Sequence, residues 1–261
     1  MLVSIIITTY NRPDALLLVL QSIESQTKFP HEVVIADDGS DINTQKLISN
    51  FKKSSKLNII HSWQKDQGFR VAQSRNKAIA KSSGNYIILI DGDVILHHKF
   101  IQDHINNAQA NYFVQGSRAL LSEDETSKIF VRKDLSFSIF SRGLRNRKNV
   151  IHSNLMCKFF LLKKNYLHGI KTCNIGFFKK DCVDINGFNN DFEGWGREDS
   201  EFIVRLMNNG INRKNVHFNA LQLHLWHKNN SREFLEKNNL ILKEAIKNRH
   251  IWCDNGIDRY L

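Results

Sequence analysis

The stretch NYIILIDGDV, Asn85 to Val94, decides the fold of this chain. It places an apolar run directly before two aspartates that are separated by one glycine. An uninterrupted apolar strand is typical of a parallel sheet whose two faces are both covered by helices. The aspartates then follow the carboxyl end of the strand, which is the edge where open α/β sheets bind their ligands.

The same pattern recurs through the first hundred residues, where apolar runs alternate with segments of helical spacing. This alternation predicts βαβ units, and therefore an α/β fold with a doubly wound, mainly parallel sheet and helices on both faces. The predicted strands are LVSIIITT (2–9), HEVVIADDGS (31–40), KLNIIHSW (56–63) and NYIILIDGD (85–93). The predicted helices are PDALLLVLQSIESQ (13–26), DINTQKLISNFKKS (41–54) and FRVAQSRNKAIAKSSG (69–84).

The composition is that of a globular protein, since 41% of the 261 residues are hydrophobic and 24% are charged. No apolar run approaches the roughly 18 residues that a membrane span needs. The first residues, MLVSIIITTYNRPD, lack the basic start of a secretory signal, so we expect a cytoplasmic protein. The four cysteines, at positions 157, 173, 182 and 253, lack zinc-ligand spacing and are predicted to be free, buried thiols.

Positive charge is concentrated in residues 128–164, which we call the basic segment. The formal net charge of the chain is +11, and this segment holds ten lysines and arginines against one acid, Asp134. Aromatic residues such as Phe137 and Phe140 are interleaved with the basic ones. The pattern is typical of a solvated face, a nucleic-acid site, an anionic membrane surface or a site for a phosphorylated substrate, and these alternatives stay open.

Two motifs carry possible metal ligands. In IDGDV, Asp91 and Asp93 are two residues apart at a strand end and can point the same way, which makes half of a divalent metal site. HLWH (224–227) falls in a predicted late strand, HFNALQLHLWH. In a regular strand its two histidines face opposite sides, so we favour His227 as the ligand and keep His224 as the alternate. A mixed aspartate and histidine set suits Mn²⁺ better than Mg²⁺.

Further candidates lie at the ends of the other predicted elements. Arg75 could pair with a phosphate or form a surface ion pair. In ADDGS, one of Asp37 and Asp38 could accept from a nucleobase or a ribose, while the other caps a turn. Tyr10 offers a stacking surface and Arg12 a charge. Ordinary turn chemistry is the alternative for each of them.

The segment EGWGREDSEF (193–202) sets a tryptophan between two glycines and follows it with acids. Flanking glycines cost backbone entropy, so the arrangement favours an indole that must meet a flat partner beside a carboxylate. The alternative is that the acids only complement the N-terminus of a helix that begins near Glu198.

Taken in order, TTYNRPDALLLVLQSI, ADDGS, KDQGFRVAQSRN, IDGDV and GFNNDFEGWGREDSEF resemble family 2 glycosyltransferases of the GT-A fold. The last motif is similar to the GWGxED region of β-1,4-galactosyltransferases and bacterial chondroitin-type polymerases. The resemblance covers about residues 2–118 and 172–228 and leaves most of the basic segment outside. We therefore expect one continuous domain with a nucleotide-sugar half (1–118), a basic aromatic insert (119–171), and an acceptor and catalytic-base half (172–261).

The resemblance implies a role for each matching residue. Asp199 would be the general base, Glu198 would grip sugar hydroxyls, and Trp195 would form the sugar platform. Thr9, Tyr10 and Arg12 would border the nucleotide, and Asp38 would hold the uracil. Arg75 would lie near the ribose or diphosphate, and Asp91 would touch ribose or sugar. Asp93 would bind the metal with the HLWH segment.

The predicted function is inverting transfer of a hexose-type sugar from a UDP-sugar to a hydroxyl of a bacterial surface glycan: lipopolysaccharide core, O-antigen or capsule. The basic segment would meet a phosphorylated oligosaccharide or, peripherally, the anionic inner face of the plasma membrane, and no nucleic-acid partner is expected. A nucleotidyltransferase is one alternative, but TTYNRPDA (8–15) is not a glycine-rich phosphate loop. A basic binding module is the other, and it leaves the acids at the strand ends unexplained.

Overall fold

The computed structural model describes residues 1–163, 165–167, 169–228 and 230–261. The strands are β1 (Val3–Thr9), β2 (Glu32–Asp37), β3 (Ile59–Trp63), β4 (Tyr86–Asp91), β5 (Val94–Leu96), β6 (Tyr112–Gln115), β7 (Ser117–Leu121), β8 (Leu144–Arg145), β9 (Leu162–Lys163), β10 (Asn174–Phe178), β11 (Asn212–Asn215) and β12 (Leu221–His224). The α-helices are α1 (Pro13–Glu24), α2 (Ile42–Ser54), α3 (Val71–Lys81), α4 (Phe100–Asn107), α5 (Glu123–Arg132), α6 (Asn154–Phe159), α7 (Lys179–Val183), α8 (Glu198–Asn208) and α9 (Leu235–Lys247), and 3-10 helices span Arg147–Val150 and Ile257–Tyr260.

The predicted α/β architecture is confirmed in a large sheet of strand order β3-β2-β1-β4-β10-β6-β11-β9. The first four strands in this order are mutually parallel, as the βαβ pattern predicts. The sheet then becomes mixed, because β10 runs antiparallel to both β4 and β6. A second, smaller sheet has the order β5-β12-β7-β8.

The apolar strands are covered on both faces, as their uninterrupted hydrophobicity requires. Alternate residues of β1 enter different core clusters: Ile5 and Ile7 pack with α1, whereas Ile6 packs with α3. All four cysteines are free and buried, as predicted. No helix among the described residues is long and apolar enough to cross a membrane.

Local signals explain some helix boundaries. Asp41 caps α2 by accepting hydrogen bonds from the backbone N–H groups of Asn43 and Thr44. The prediction that α3 runs to Gly84 is wrong, because the helix ends at Lys81. Gly84 instead permits a close approach to β1, since a Cβ at this position would lie 2.3 Å from Oγ of Ser4.

The basic segment contains part of α5, then β8, a 3-10 helix, α6 and β9. The segment is therefore irregular and partly helical. Lys164, the last residue of the basic segment, lies outside the described residues.

Candidate active site

One cavity of about 1490 Å³ collects the side chains that follow β1 and β4. These two strands are parallel neighbours, so their carboxyl ends meet at one edge of the sheet. The residues that the sequence singled out for the site all lie on the wall of this cavity. They are Thr9, Tyr10, Arg12, Asp38, Arg75, Asp91, Asp93, Trp195, Glu198, Asp199, His224 and His227.

Asp93 lies between an arginine and two histidines. Its Oδ2 accepts a hydrogen bond of 2.8 Å from Nη1 of Arg12. Nε2 of His224 lies 3.4 Å from Oδ1, and Nε2 of His227 lies 3.6 Å from Oδ2. Oδ1 is buried, yet no described residue donates a hydrogen bond to it. A buried carboxylate oxygen without a donor, beside two imidazoles, fits a divalent transition metal, and these three side chains could hold one.

The two histidines reach Asp93 together because the chain leaves the strand between them. β12 ends at His224 and pairs with β5, which directly follows Asp93. Beyond it, the backbone N–H of Leu225 donates to the carbonyl of Asp93 at 2.9 Å, and that of Trp226 donates to Oγ1 of Thr126 at 2.9 Å. The expectation of a regular strand through HLWH is therefore wrong. The limit to one histidine ligand applied only to a regular strand, so both histidines stay candidates.

Arg75, which also lines the cavity, connects three carboxylates. Its Nη1 lies 3.0 Å from Oδ1 of Asp199 and 3.4 Å from Oε1 of Glu198, and its Nη2 lies 3.6 Å from Oδ1 of Asp91. The guanidinium is almost fully buried and also covers the ring of Phe188, 5.2 Å from the ring centroid. A buried arginine with three acidic neighbours links the DGD motif to the GWGRED motif.

Asp199 is held from two sides. Oγ1 of Thr172 donates to its Oδ1 at 2.6 Å, and the backbone N–H of Thr172 donates to its Oδ2 at 3.1 Å. Burial alone would raise the pKa of Asp199, but Arg75 and the hydrogen bonds from Thr172 outweigh burial and hold that pKa below its usual value. Burial and the Asp199 charge together raise the pKa of the neighbouring Glu198. The pKa values of these two adjacent carboxyl groups are therefore shifted in opposite directions.

The far end of the cavity holds Asp38. Its oxygens accept from Nε2 of Gln64 at 2.6 Å and from the backbone N–H of Arg70 at 2.8 Å. Burial raises the pKa of Asp38 to about 6, although both hydrogen bonds oppose that shift. Nearby, the half-exposed ring of Tyr10 is anchored by a 2.9 Å hydrogen bond from its hydroxyl to Asp66.

Trp195 stands in a loop that α9 braces. The buried amide of Asn238 donates to the carbonyl oxygens of Glu193 and Gly196, each at 2.9 Å. Gly194 has a φ of +67°, and a Cβ there would lie 2.5 Å from Cδ2 of Phe234, so glycine is required in this conformation. The indole itself is 41% exposed and available to a ligand.

Sequence reasoning missed three residues of the cavity region. Thr172 orients Asp199, but KTCNIG carries no recognisable motif before β10. Arg118 and Lys171 line the cavity, and neither forms an ion pair with any described residue. The one available signal was position: Arg118 is the second residue of β7, the strand that follows the glycine after β6.

Comparison with known families identifies the chain. A family model described as "Glycosyl transferase family 2" matches residues 4–170, and one described as "N-terminal domain of galactosyltransferase" matches residues 156–228. The chain belongs to glycosyl transferase family 2. The resemblance inferred from the motifs is thereby confirmed, but its extent was too narrow, because the family match continues through the basic segment.

Several curated proteins are similar over most of the chain. They include chondroitin synthase from Escherichia coli (26% identical, 82% of this chain, 33% of the relative), hyaluronan synthase from Pasteurella multocida (26%, 79% and 23%) and validoxylamine A glucosyltransferase from Streptomyces hygroscopicus subsp. limoneus (27%, 80% and 49%). The chain therefore spans between about a quarter and a half of the length of these relatives.

Among solved structures, S. aureus TarS (residues 1–349) in complex with UDP matches with a TM-score of 0.65 at 16% identity, covering all of this chain and 68% of the TarS chain. The complex of the same TarS fragment with UDP-GlcNAc matches with a TM-score of 0.58 at 16% identity, covering 88% and 60%. This likeness confirms the GT-A fold.

Proposed function

We propose that this chain is an inverting glycosyltransferase that moves a hexose-type sugar from a UDP-sugar to a hydroxyl of a bacterial surface glycan, such as lipopolysaccharide core, O-antigen or capsule. The observation that carries the proposal is the convergence of the Asp93 group and the Glu198–Asp199 pair on one cavity. Relatives named as chondroitin and hyaluronan synthases, and TarS complexes with UDP and UDP-GlcNAc, support the same substrate classes.

The nucleotide would lie along the edge formed by β1, β2 and β4. Asp38 accepts the uracil N–H, and its neighbours Gln64 and Arg70 hold the carboxylate in place for this bond. Tyr10 stacks on the base. Thr9 contributes Oγ1, a buried hydroxyl without a partner among the described residues, to the ribose or the diphosphate.

Asp93, His224 and His227 would hold Mn²⁺, which their mixed oxygen and nitrogen ligands suit better than Mg²⁺. When bound, the ion would offset the negative charge that develops on the departing UDP. Burial lowers the pKa of His224, which keeps its imidazole in the neutral form that ligates metals. Arg12 adds a positive charge beside Asp93. The group around Asp93 would therefore offset the negative charge of the UDP leaving group.

In the same cavity, Asp199 acts as the general base. The acceptor hydroxyl gives its proton to Asp199 while its oxygen bonds to the anomeric carbon and the bond to UDP breaks. Attack from the face opposite UDP inverts the anomeric centre. The lowered pKa keeps Asp199 ionised and able to accept the proton, and Thr172 fixes the direction of its lone pairs. Such assistance contributes about 10²- to 10⁴-fold in rate.

Glu198 and Trp195 would bind the sugar itself. An indole covers the apolar C–H face of a sugar ring, and a carboxyl group meets the hydroxyls on its rim. Because the pKa of Glu198 is raised, this carboxyl can donate as well as accept hydrogen bonds. Gly194 and Gly196 would let the loop close over the donor and exclude water.

A UDP-release screen tests the proposal. The chain is incubated with a panel of UDP-sugars and Mn²⁺, with and without oligosaccharide acceptors. We expect release from one or a few UDP-sugars, stimulated by acceptor and stopped by a chelator. Absence of UDP release across the panel, together with absence of UDP binding, would overturn the proposal.

A further inference from the structure

Helix α6 has an unusual distribution of exposure. Leu155 and Phe159 are 66% and 78% exposed, and Met156 and Phe160 beside them are also exposed. At 100° per residue these four positions share one side of the helix. Cys157 lies on the other side and is buried in the main core. The helix therefore packs through Cys157 and, just after its last residue, through Phe160, whose ring lies 5.7 Å from that of Phe218, while its large apolar side chains remain exposed. We call Leu155, Met156, Phe159 and Phe160 the α6 face.

The α6 face belongs to the basic segment, in which most of the described positive charges have no carboxylate partner. Among the described lysines and arginines of the basic segment, only Lys128 pairs with a carboxylate, that of Glu125. Lys158 is exposed on α6 itself, and Phe140, 88% exposed, precedes Arg142 by two residues. A segment with exposed apolar side chains and unpaired cations complements a partner that has an apolar interior and negative charge at its surface.

We propose that the α6 face and the surrounding basic segment bind the surface of a lipid bilayer that contains anionic lipids. The apolar side chains enter the boundary between head groups and acyl chains, which is how amphipathic interfacial helices bind. The lysines and arginines stay at the level of the head groups and pair with their negative charges. When the chain is bound to the bilayer, the apolar side chains are no longer exposed to water and the positive charges have anionic partners.

Two other occupants fit less well. A second copy of the chain would bring two basic segments together, and like charges repel. Nucleic acid would satisfy the charge, and bases stack on aromatic rings, but they offer nothing to Leu155 and Met156. A bilayer accommodates the aliphatic and aromatic residues alike.

The basic segment also contributes Arg145 to the wall of the active-site cavity. Bilayer binding through this segment favours an acceptor that is itself anchored in the membrane. This last step rests on the proposed function, whereas the bilayer contact does not.

Cosedimentation with vesicles tests the contact without any activity assay. Vesicles of phosphatidylcholine alone are compared with vesicles of phosphatidylcholine and phosphatidylglycerol. Leu155→Ser is paired with Leu240→Ser on α9, because the two leucines are equally exposed, at 66%. We expect binding to the anionic vesicles only, weakened about tenfold by Leu155→Ser and unchanged by Leu240→Ser.

Charge is tested with a second matched pair, Lys158→Gln on α6 and Lys243→Gln on α9. The first is expected to weaken binding about fivefold and the second to have no effect. All four replaced side chains are exposed, so the variants should keep the wild-type circular dichroism and melting temperature.

Three results would overturn the proposal. The first is absence of binding to the anionic vesicles. The second is equal loss in Leu155→Ser and Leu240→Ser. The third is an oligomer in light scattering that Leu155→Ser dissociates, since the α6 face would then be covered by a second copy.

Discussion

Two acidic groups line the cavity, and they differ in how their carboxylate oxygens accept hydrogen bonds. At Asp93, Oδ1 is buried without a donor among the described residues, while two imidazoles stand close by. At Asp199, both oxygens already accept hydrogen bonds from Thr172, and Arg75 neutralises the charge. The first group is open and suited to taking up a ligand. The second is closed and suited to holding one carboxylate in a fixed direction.

The two motifs also share a feature, because each contains one carboxyl group whose pKa is raised. Burial and the charge of Asp93 raise the pKa of Asp91 to about 6. Glu198 is raised for the same two reasons, by burial and by the charge of Asp199. In the Glu198–Asp199 pair, Arg75 and Thr172 keep the negative charge on Asp199, and Glu198 holds a proton more readily. At neutral pH, Glu198 therefore carries less negative charge than an ordinary glutamate.

Removing the open group should have the broadest effect, because turnover and UDP binding should both be lost. Asp93→Asn is expected to lower kcat/KM about a thousandfold, since stabilisation of the departing diphosphate is worth several kcal/mol. Mn²⁺-dependent UDP binding should be lost as well, measured by titration calorimetry. Asp184→Asn, on the surface after α7, serves as the control. A metal-linked UDP affinity equal to that of the wild type would contradict the metal assignment.

Changing the closed group should affect turnover alone. Asp199→Asn is expected to lower kcat by about 10²- to 10⁴-fold while UDP affinity stays nearly intact. Thr172→Val, which removes only the hydroxyl donor, should lower kcat about tenfold, because one hydrogen bond to a charged group is lost. Steady-state rates and calorimetry separate the two effects. If Asp199→Asn weakens UDP binding as much as turnover, the base assignment is wrong.

The smallest effect is on stability. Because the pKa of Glu198 is raised in the folded state, ionising it costs stability as the pH rises above the ordinary glutamate value. Glu198→Gln never ionises, so it should be more stable than the wild type by about 1–3 kcal/mol at neutral pH. The gain should shrink towards about pH 4, where the unfolded chain is protonated too.

Urea unfolding at neutral and acidic pH measures this difference. Glu244→Gln, exposed on α9, is the matched control and should change stability little at either pH. A gain for Glu198→Gln that is the same at both pH values would show that it does not arise from ionisation.

Much of the site followed from local sequence because strand ends are local features. An apolar run stops where its acids begin, so IDGDV and ADDGS predicted both the strands and the edge they share. The GWGRED segment behaved similarly, because a glycine needed for a left-handed backbone and acids at the start of α8 are both readable in the chain. Family resemblance then supplied roles that spacing alone leaves open.

What failed in the prediction depended on contacts between distant segments. The regular strand predicted through HLWH ends at His224, because the backbone beyond it bonds to Asp93 and Thr126 instead. Thr172 was missed because only the fold brings it to Asp199. The outward apolar side of α6 was also hidden, since a stretch of leucine, methionine and phenylalanine ordinarily predicts burial.

By itself, the sequence determined the parallel half of the sheet, the acids at its carboxyl edge and the family of the chain, because hydrophobic periodicity and short motifs act over a few residues. Only the tertiary structure decided which oxygens of those acids are satisfied and which stay open. Hydrogen-bond partners such as Thr172 and Arg75 come from separate parts of the chain, and no spacing along the sequence records that they meet.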